Sequence, residues 1–171
     1  MALPRKLKHL NIFLDGGNWV GLAESFTPAK LTRKFEKYRG GGMPGSVDID
    51  MGLDDDALST SFVVGGYEAN LLRKMGAAKA DAVSLRFSGA YQRDDTGEVS
   101  SVEIVCRGRF TERDGGEQKT GENTQTTMNM TNVYYKEIVD GEVLYEVDVL
   151  NMVEIVNGVD MMAEHRRAIG L

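Results

Sequence analysis

Apolar and polar residues alternate with a period of two over most of the chain, the spacing of strands that bury one face. Leu10, Ile12 and Leu14 alternate with Asn11 and Phe13, Asp15-Gly16-Gly17 supplies a turn, and residues 19–24 are expected to return as the second arm of a hairpin. Leu31, Arg33, Phe35, Lys37 and Arg39 share one face of the next run, with Lys34, Glu36 and Tyr38 opposite. Neither face is purely apolar, so this strand has water or a partner on one side. Val47, Ile49, Met51 and Leu53 then alternate with Asp48, Asp50, Gly52 and Asp54, an amphipathic strand with an acidic face. Residues 58–64 are expected to return against it after the turn-prone Asp54-Asp55-Asp56.

Between Gly66 and Gly76 the period changes. Tyr67, Leu71, Leu72 and Met75 fall at helical spacing, Arg73 and Lys74 lie near the C-terminal end where cations suit the helix dipole, and Gly76 is a stop, so one short helix is predicted over 66–76. Strands resume over 82–92 and 99–111, and the polar, glycine-bearing ERDGGEQKTGEN of 112–123 reads as a loop. Strands over 124–139 and 143–149 join through Asp140-Gly141, a strong hairpin signal. Asn157-Gly158 makes a further turn, and Asp160 caps a last helix carrying Met161, Met162, His165 and Ala168 and ended by Gly170. With no repeat, linker or composition break, the expectation is one domain over 1–171. It is mainly β (α+β), an antiparallel barrel or sandwich with one or two short helices.

Composition narrows the function. A chain of 171 residues can bury roughly 70% of its unfolded surface and needs no staple. The single cysteine, Cys106, lies in an apolar strand pattern and reads as a buried, inert thiol. The basic start MALPRKLKHL lacks the apolar core of a secretory signal, and no stretch approaches the ~20 apolar residues of a membrane helix. A net charge of -6 argues against a dedicated nucleic-acid binder, though not against DNA that slides past without sticking.

The glycines of YRGGGMPGSVDIDMGLDDD invite two chemical readings, and the letters reject both. A phosphate loop needs a helix after its glycines, whereas Met43-Pro44-Gly45 leads into a strand. A calcium loop starting at Asp48 needs Gly at its sixth place and Glu at its twelfth, where the chain has Leu53 and Ser59. A looser carboxylate site at Asp54, Asp55 and Asp56 is the remaining metal alternative to a solvated acidic turn. Only His9 and His165 are available for imidazole chemistry, and no G-x-S-x-G context appears. The residues alone point to a non-enzymatic β domain, with no catalytic, cofactor or metal residues assigned.

Three blocks carry a resemblance. YRGGGMPGSVDIDMGL near residue 40, YYKEIVDGEVLYEVDVLN over 134–151 and the C-terminal VNGVDMMAEHRRAIGL resemble the signature blocks of the major tail tube protein (FII) family of contractile-tailed phages, to which the tube of R-type pyocins is similar. The resemblance implies a structural virion subunit, made in a host cytoplasm, whose hexameric rings stack into the inner tube of a contractile tail and conduct the genome. It implies as partners further copies of the chain, the tail sheath protein, tail tip, baseplate and terminator proteins, and double-stranded DNA passing without specific binding, with no membrane anchor. A tube subunit of a pyocin or bacterial contractile injection system and a monomeric β-barrel binding module are the alternatives.

With that resemblance, residues 40–64 are expected to form a protruding hairpin with Gly40, Gly41 and Gly42 in its flexible stem. Val47, Ile49, Met51 and Leu53 would meet a neighbouring subunit while Asp48 and Asp50 face water or the channel; the alternative is an internal hairpin packed on its own core. The short helix would present Glu68, Arg73 and Lys74 to the sheath, or close a barrel end as a solvated helix. The arm 1–9, with Arg5, Lys6 and Lys8, would bridge rings or stay disordered until assembly. Arg107 and Arg109 alternate on a strand as on a nucleic-acid-binding sheet, but charge pairs with neighbouring Glu and Asp are the simpler expectation.

Overall fold

The two longest runs of alternation, β8 (Val99–Asp114) and β9 (Gln125–Val139), pair antiparallel and organise the rest. This is a computed structural model that describes residues 1–171. On one side of the pair, β7 (Val83–Gln92) and then β1 (Lys6–Leu14) extend the sheet; on the other, β10 (Glu142–Asp148), β11 (Val153–Val156) and β12 (Val159–Asp160) do. β9 also serves a second branch. Its first half pairs with β6 (Ser59–Gly65), which pairs with β3 (Ala23–Thr27), whereas its second half pairs with β10.

The change of partner falls at Asn132 and Val133, opposite an irregularity in the β8–β9 register at Arg107/Gly108 and close to a second, at Phe110/Glu112, which faces Met130 and Asn129. Bulges bend strands, and this bend lets the β3–β6 branch fold over β7, so that Phe26 stacks on Phe87 with ring centroids 4.7 Å apart. The space between is the core. Tyr135, Phe62, Ile12, Leu71, Leu85 and Met128 are almost wholly buried there. Cys106 is buried too, and desolvation pushes its thiol up to about 12. The expected mainly antiparallel β architecture with two short helices is present.

Several local expectations differ. Residues 19–24 do not return along β1: β2 (Gly17–Asn18) pairs with it for two residues only, and the chain then turns to make β3 against β6. β8 continues through Asp114, because Arg113 and Asp114 pair with Met128 and Thr127, so the polar loop starts at Gly115. The arm 1–9 is partly strand, since β1 begins at Lys6, opposite Gln92. Leu3 N donates to Asp95 at 3.0 Å, Arg5 approaches Glu98 at 3.5 Å and Lys8 approaches Asp94 at 3.0 Å. The last helix, α2 (Ala163–Ala168), has its N-cap at Met162 with no side-chain cap bond, so Asp160 is not its cap and Met161 and Met162 precede it; the Asp160 carboxylate accepts from Met162 N at 3.0 Å in the turn before.

Candidate assembly surfaces

The stretch 33–53 forms a hairpin of its own, a two-stranded sheet of β4 (Arg33–Tyr38) and β5 (Val47–Leu53) joined to no other strand. The expected pairing of 47–53 with 58–64 is therefore overturned. β5 turns back on β4, and β6 leaves through the 54–58 turn to join β9. The glycines change role with it: Gly40, Gly41 and Gly42 form the tip of the hairpin, not its stem. Gly42 requires its glycine, with φ +83.

Cross-strand partners decide the faces. Phe35 lies opposite Asp50 and Lys37 opposite Asp48, while Glu36 lies opposite Ile49 and Tyr38 opposite Val47. Gly52, at φ +100, sits where the register slips, so Leu53 crosses to the other face and packs on the core, leaving Val47, Ile49 and Met51 behind. Those three are exposed, Met51 by 59%, and so are Phe35 and Tyr38. An isolated two-stranded hairpin is marginal in water, and apolar residues bared on both of its faces mark a surface awaiting a partner.

A polar anchor fixes the base of this hairpin. Arg33 Nε donates to Asp50 at 2.6 Å and Arg33 Nη1 to Glu154 at 2.5 Å, while Asp54 N donates to Thr32 O at 2.9 Å. Glu154 is only 8% exposed, and a carboxylate buried that far requires a cation or donors. Tyr145 adds an O–H bond to it at 3.4 Å; its phenol is pushed up to about 12 by burial and then by the charge of Glu154. Asp50 is held below the usual carboxylate range first by Gly52 N–H and then by Arg33. Asp48 meets Lys37 at 3.0 Å. The expected acidic face at Asp48 and Asp50 is thus neutralised within the hairpin.

The sequence reading missed Glu154 and Tyr145. The available signal was an acidic residue at an inward position, opposite the buried Val147 on β10.

The predicted helix is α1 (Ala69–Arg73), held by the fully buried Leu71. Glu68 accepts from Asn70 N, Arg73 donates to Asn70 Oδ1 at 2.8 Å, and Lys74 pairs with Asp15. Tyr67 and Leu72 remain exposed beside them. Arg107 lies over the Tyr134 ring, 4.0 Å from its centroid, so its partner is an aromatic ring where a carboxylate was expected. No three His, Cys, Asp or Glu side chains converge on a metal position, and Asp54, Asp55 and Asp56 are exposed at the turn. No helix is long and apolar enough to cross a membrane.

The family model described as phage tail tube protein FII matches residues 4–170. The chain belongs to the phage tail tube protein FII family. It is 52% identical over 172 residues to the tail tube protein of Escherichia phage P2, covering 100% of both chains. It is 44% identical over 153 residues to the major tail tube protein of Serratia phage KSP20, covering 90% of this chain and 88% of that one. A chain in the cryo-EM structure of the anti-feeding prophage (AFP) baseplate, 6-fold symmetrised, shares the fold with TM-score 0.53 at 9% identity, covering 81% of this chain and 97% of that one. The FII chain described here is accordingly a tail tube subunit, a structural component of a virion and not an enzyme.

Proposed function

We propose that the subunit closes into hexameric rings and that the rings stack into the inner tube of a contractile tail, with the β4–β5 hairpin as the main contact between copies. The observation that carries this is a hairpin with apolar residues exposed on both faces and no strand partner in its own chain. The sheet supplies a second means of association. Its edge strand β12 has only two residues, and much of β1 has no strand on its outer side, so another chain can pair there. α1, with Glu68, Arg73 and Lys74, faces the sheath in this arrangement, and tip, baseplate and terminator proteins meet the ends of the stack.

Double-stranded DNA passes through the lumen without specific binding. Self-pairing of cations supports this: Arg86 is taken up by Glu103 at 3.2 Å and by the Phe13 ring, and Arg107 by Tyr134. A cation already engaged releases fewer counterions from a passing phosphate backbone.

Electron microscopy of the purified subunit at rising concentration tests the reading, which predicts rings and then tubes of one fixed diameter. In the double variant Ile49→Asp with Met51→Asp, the folded subunit is expected to stay monomeric where the wild type assembles. Leu53 is left intact because it packs on the core. Tubes of normal length from that variant would remove the hairpin from the interface.

A further inference from the structure

One concave surface of the subunit is not filled by its own fold. It holds about 500 Å³ where β1, β7 and β8 run together, with Asn11, Ser88, Ala90 and Ser101 among its lining. Asn11, Ser88 and Ser101 alternate with the buried Ile12, Phe87 and Ser100, so they stand on the face turned away from the core. Val20 and Val99, also part of the lining, are 63% and 61% exposed. Asn11 Oδ1 is shielded from water yet has no hydrogen-bond partner in the chain. Asp140, which accepts from Ser101 N at 2.9 Å, places a carboxylate on the rim.

This recess and the hairpin occupy opposite ends of the molecule. Asp140 marks the end where β9 turns into β10, whereas Gly52 and Leu53 at the hairpin base border Val147, Asp148 and Val149 at the far end of β10. The seven residues of β10 separate the two ends by about 20 Å. A projection at one end and a recess at the other make a heterologous pair, and such contacts repeat along an axis when the rotation between copies does not close them into a ring.

The tip has the chemistry for this recess. Gly41, Gly42 and Gly45 have no Cβ, so their backbone can approach a floor of small side chains closely. Their N–H groups make no hydrogen bond in the chain, while Gly40 N and Met43 N are engaged within the tip. Arg39 is fixed there by bonds to the Met43 and Pro44 carbonyls, both 3.3 Å, and supplies the positive charge that Asp140 and the neighbouring Glu142 lack.

We propose that residues 40–46 of one copy seat in the β1–β7–β8 recess of a second copy along the tube axis, with the glycine backbone over its floor of small side chains and Arg39 facing Asp140. The inference rests on the tube reading above. Because Cys106 is buried, an engineered pair can be read without background: Met43→Cys with Ser101→Cys, oxidised mildly in assembled tubes. A ladder of covalent multimers is expected from the pair, and none from either single variant. In parallel, Ala90→Trp fills the recess and is expected to raise the concentration needed for tubes at least tenfold while the melting temperature of the subunit stays unchanged. Tubes that form without the ladder, or an Ala90→Trp subunit that folds and assembles at the wild-type concentration, overturn the docking and leave the tube reading standing. A wild-type subunit that forms no tubes overturns the tube reading itself, and the docking with it. If Ala90→Trp does not fold, the cysteine pair decides alone.

Discussion

Gly108 carries the tightest steric constraint among the glycines. A Cβ built there would stand 2.0 Å from Thr131 O and 2.7 Å from Asn132 Cα, both backbone atoms that cannot swing aside. Gly108→Ala is expected to destabilise the subunit by about 3 kcal/mol or more, because relief requires moving the strand junction itself; thermal melting measures it. Arg33 is a second sensitive residue. Arg33→Met leaves the Glu154 carboxylate buried beside Tyr145 without its cation. A fully buried broken pair costs about 3–5 kcal/mol, and here the cost is expected to be lower, on the order of 2 kcal/mol, since the Arg33 side chain is 36% exposed. The urea midpoint is the readout. The same anchor carries a pH response. Asp50 has a depressed folded value, so its contribution is complete above the unfolded value, near 3.9, and is lost as pH falls through the depressed value. Hairpin anchoring is therefore expected to be constant from neutral pH down to about 4 and to weaken below it. An NMR titration of the Asp50 carboxyl should show its midpoint below the usual range, moving toward it in Arg33→Met.

The hairpin poses the main question among the elements. Rooted by Arg33 and Leu53 but bare beyond them, it is expected to open easily in the free subunit and become rigid on assembly. Amide exchange checks this: Ile49 and Met51 should exchange quickly in monomer and slowly in tubes, and strong protection in the monomer would show an internal hairpin instead. Elements like this one were half legible in the sequence. Alternation from Val47 to Met51 correctly announced a strand with two unlike faces, and Asp140-Gly141 and Asn157-Gly158 correctly announced tight turns, since all four residues hold positive φ. The partner of β5 was not legible. A five-residue turn at 54–58 looks like a hairpin turn, and an eight-residue glycine-rich stretch at 39–46 looks like a stem, yet the longer connection is the one that folds back. Period two specifies which face a side chain takes and is silent on which strand lies alongside. The Gly52 bulge was hidden for a related reason, since a residue count cannot show which position is skipped.

For the whole molecule, a net charge of -6 and the pairing of more than half of the lysines and arginines with carboxylates or rings of the same chain describe a subunit built to meet copies of itself more than polyanions. The sequence by itself determined the strand-rich class, the two helices, the inert cysteine and the family, because these depend on local alternation, turn chemistry and long matching blocks. Tertiary structure alone decided that β9 splits its partners between two branches, that Glu154 is buried and anchors the hairpin through Arg33, and that hairpin and recess stand at opposite ends. Each of these depends on contacts between residues far apart in the chain, such as Arg33 with Glu154, 121 positions away. Local patterning selects the conformation of a segment, but only packing of the folded chain selects its neighbours.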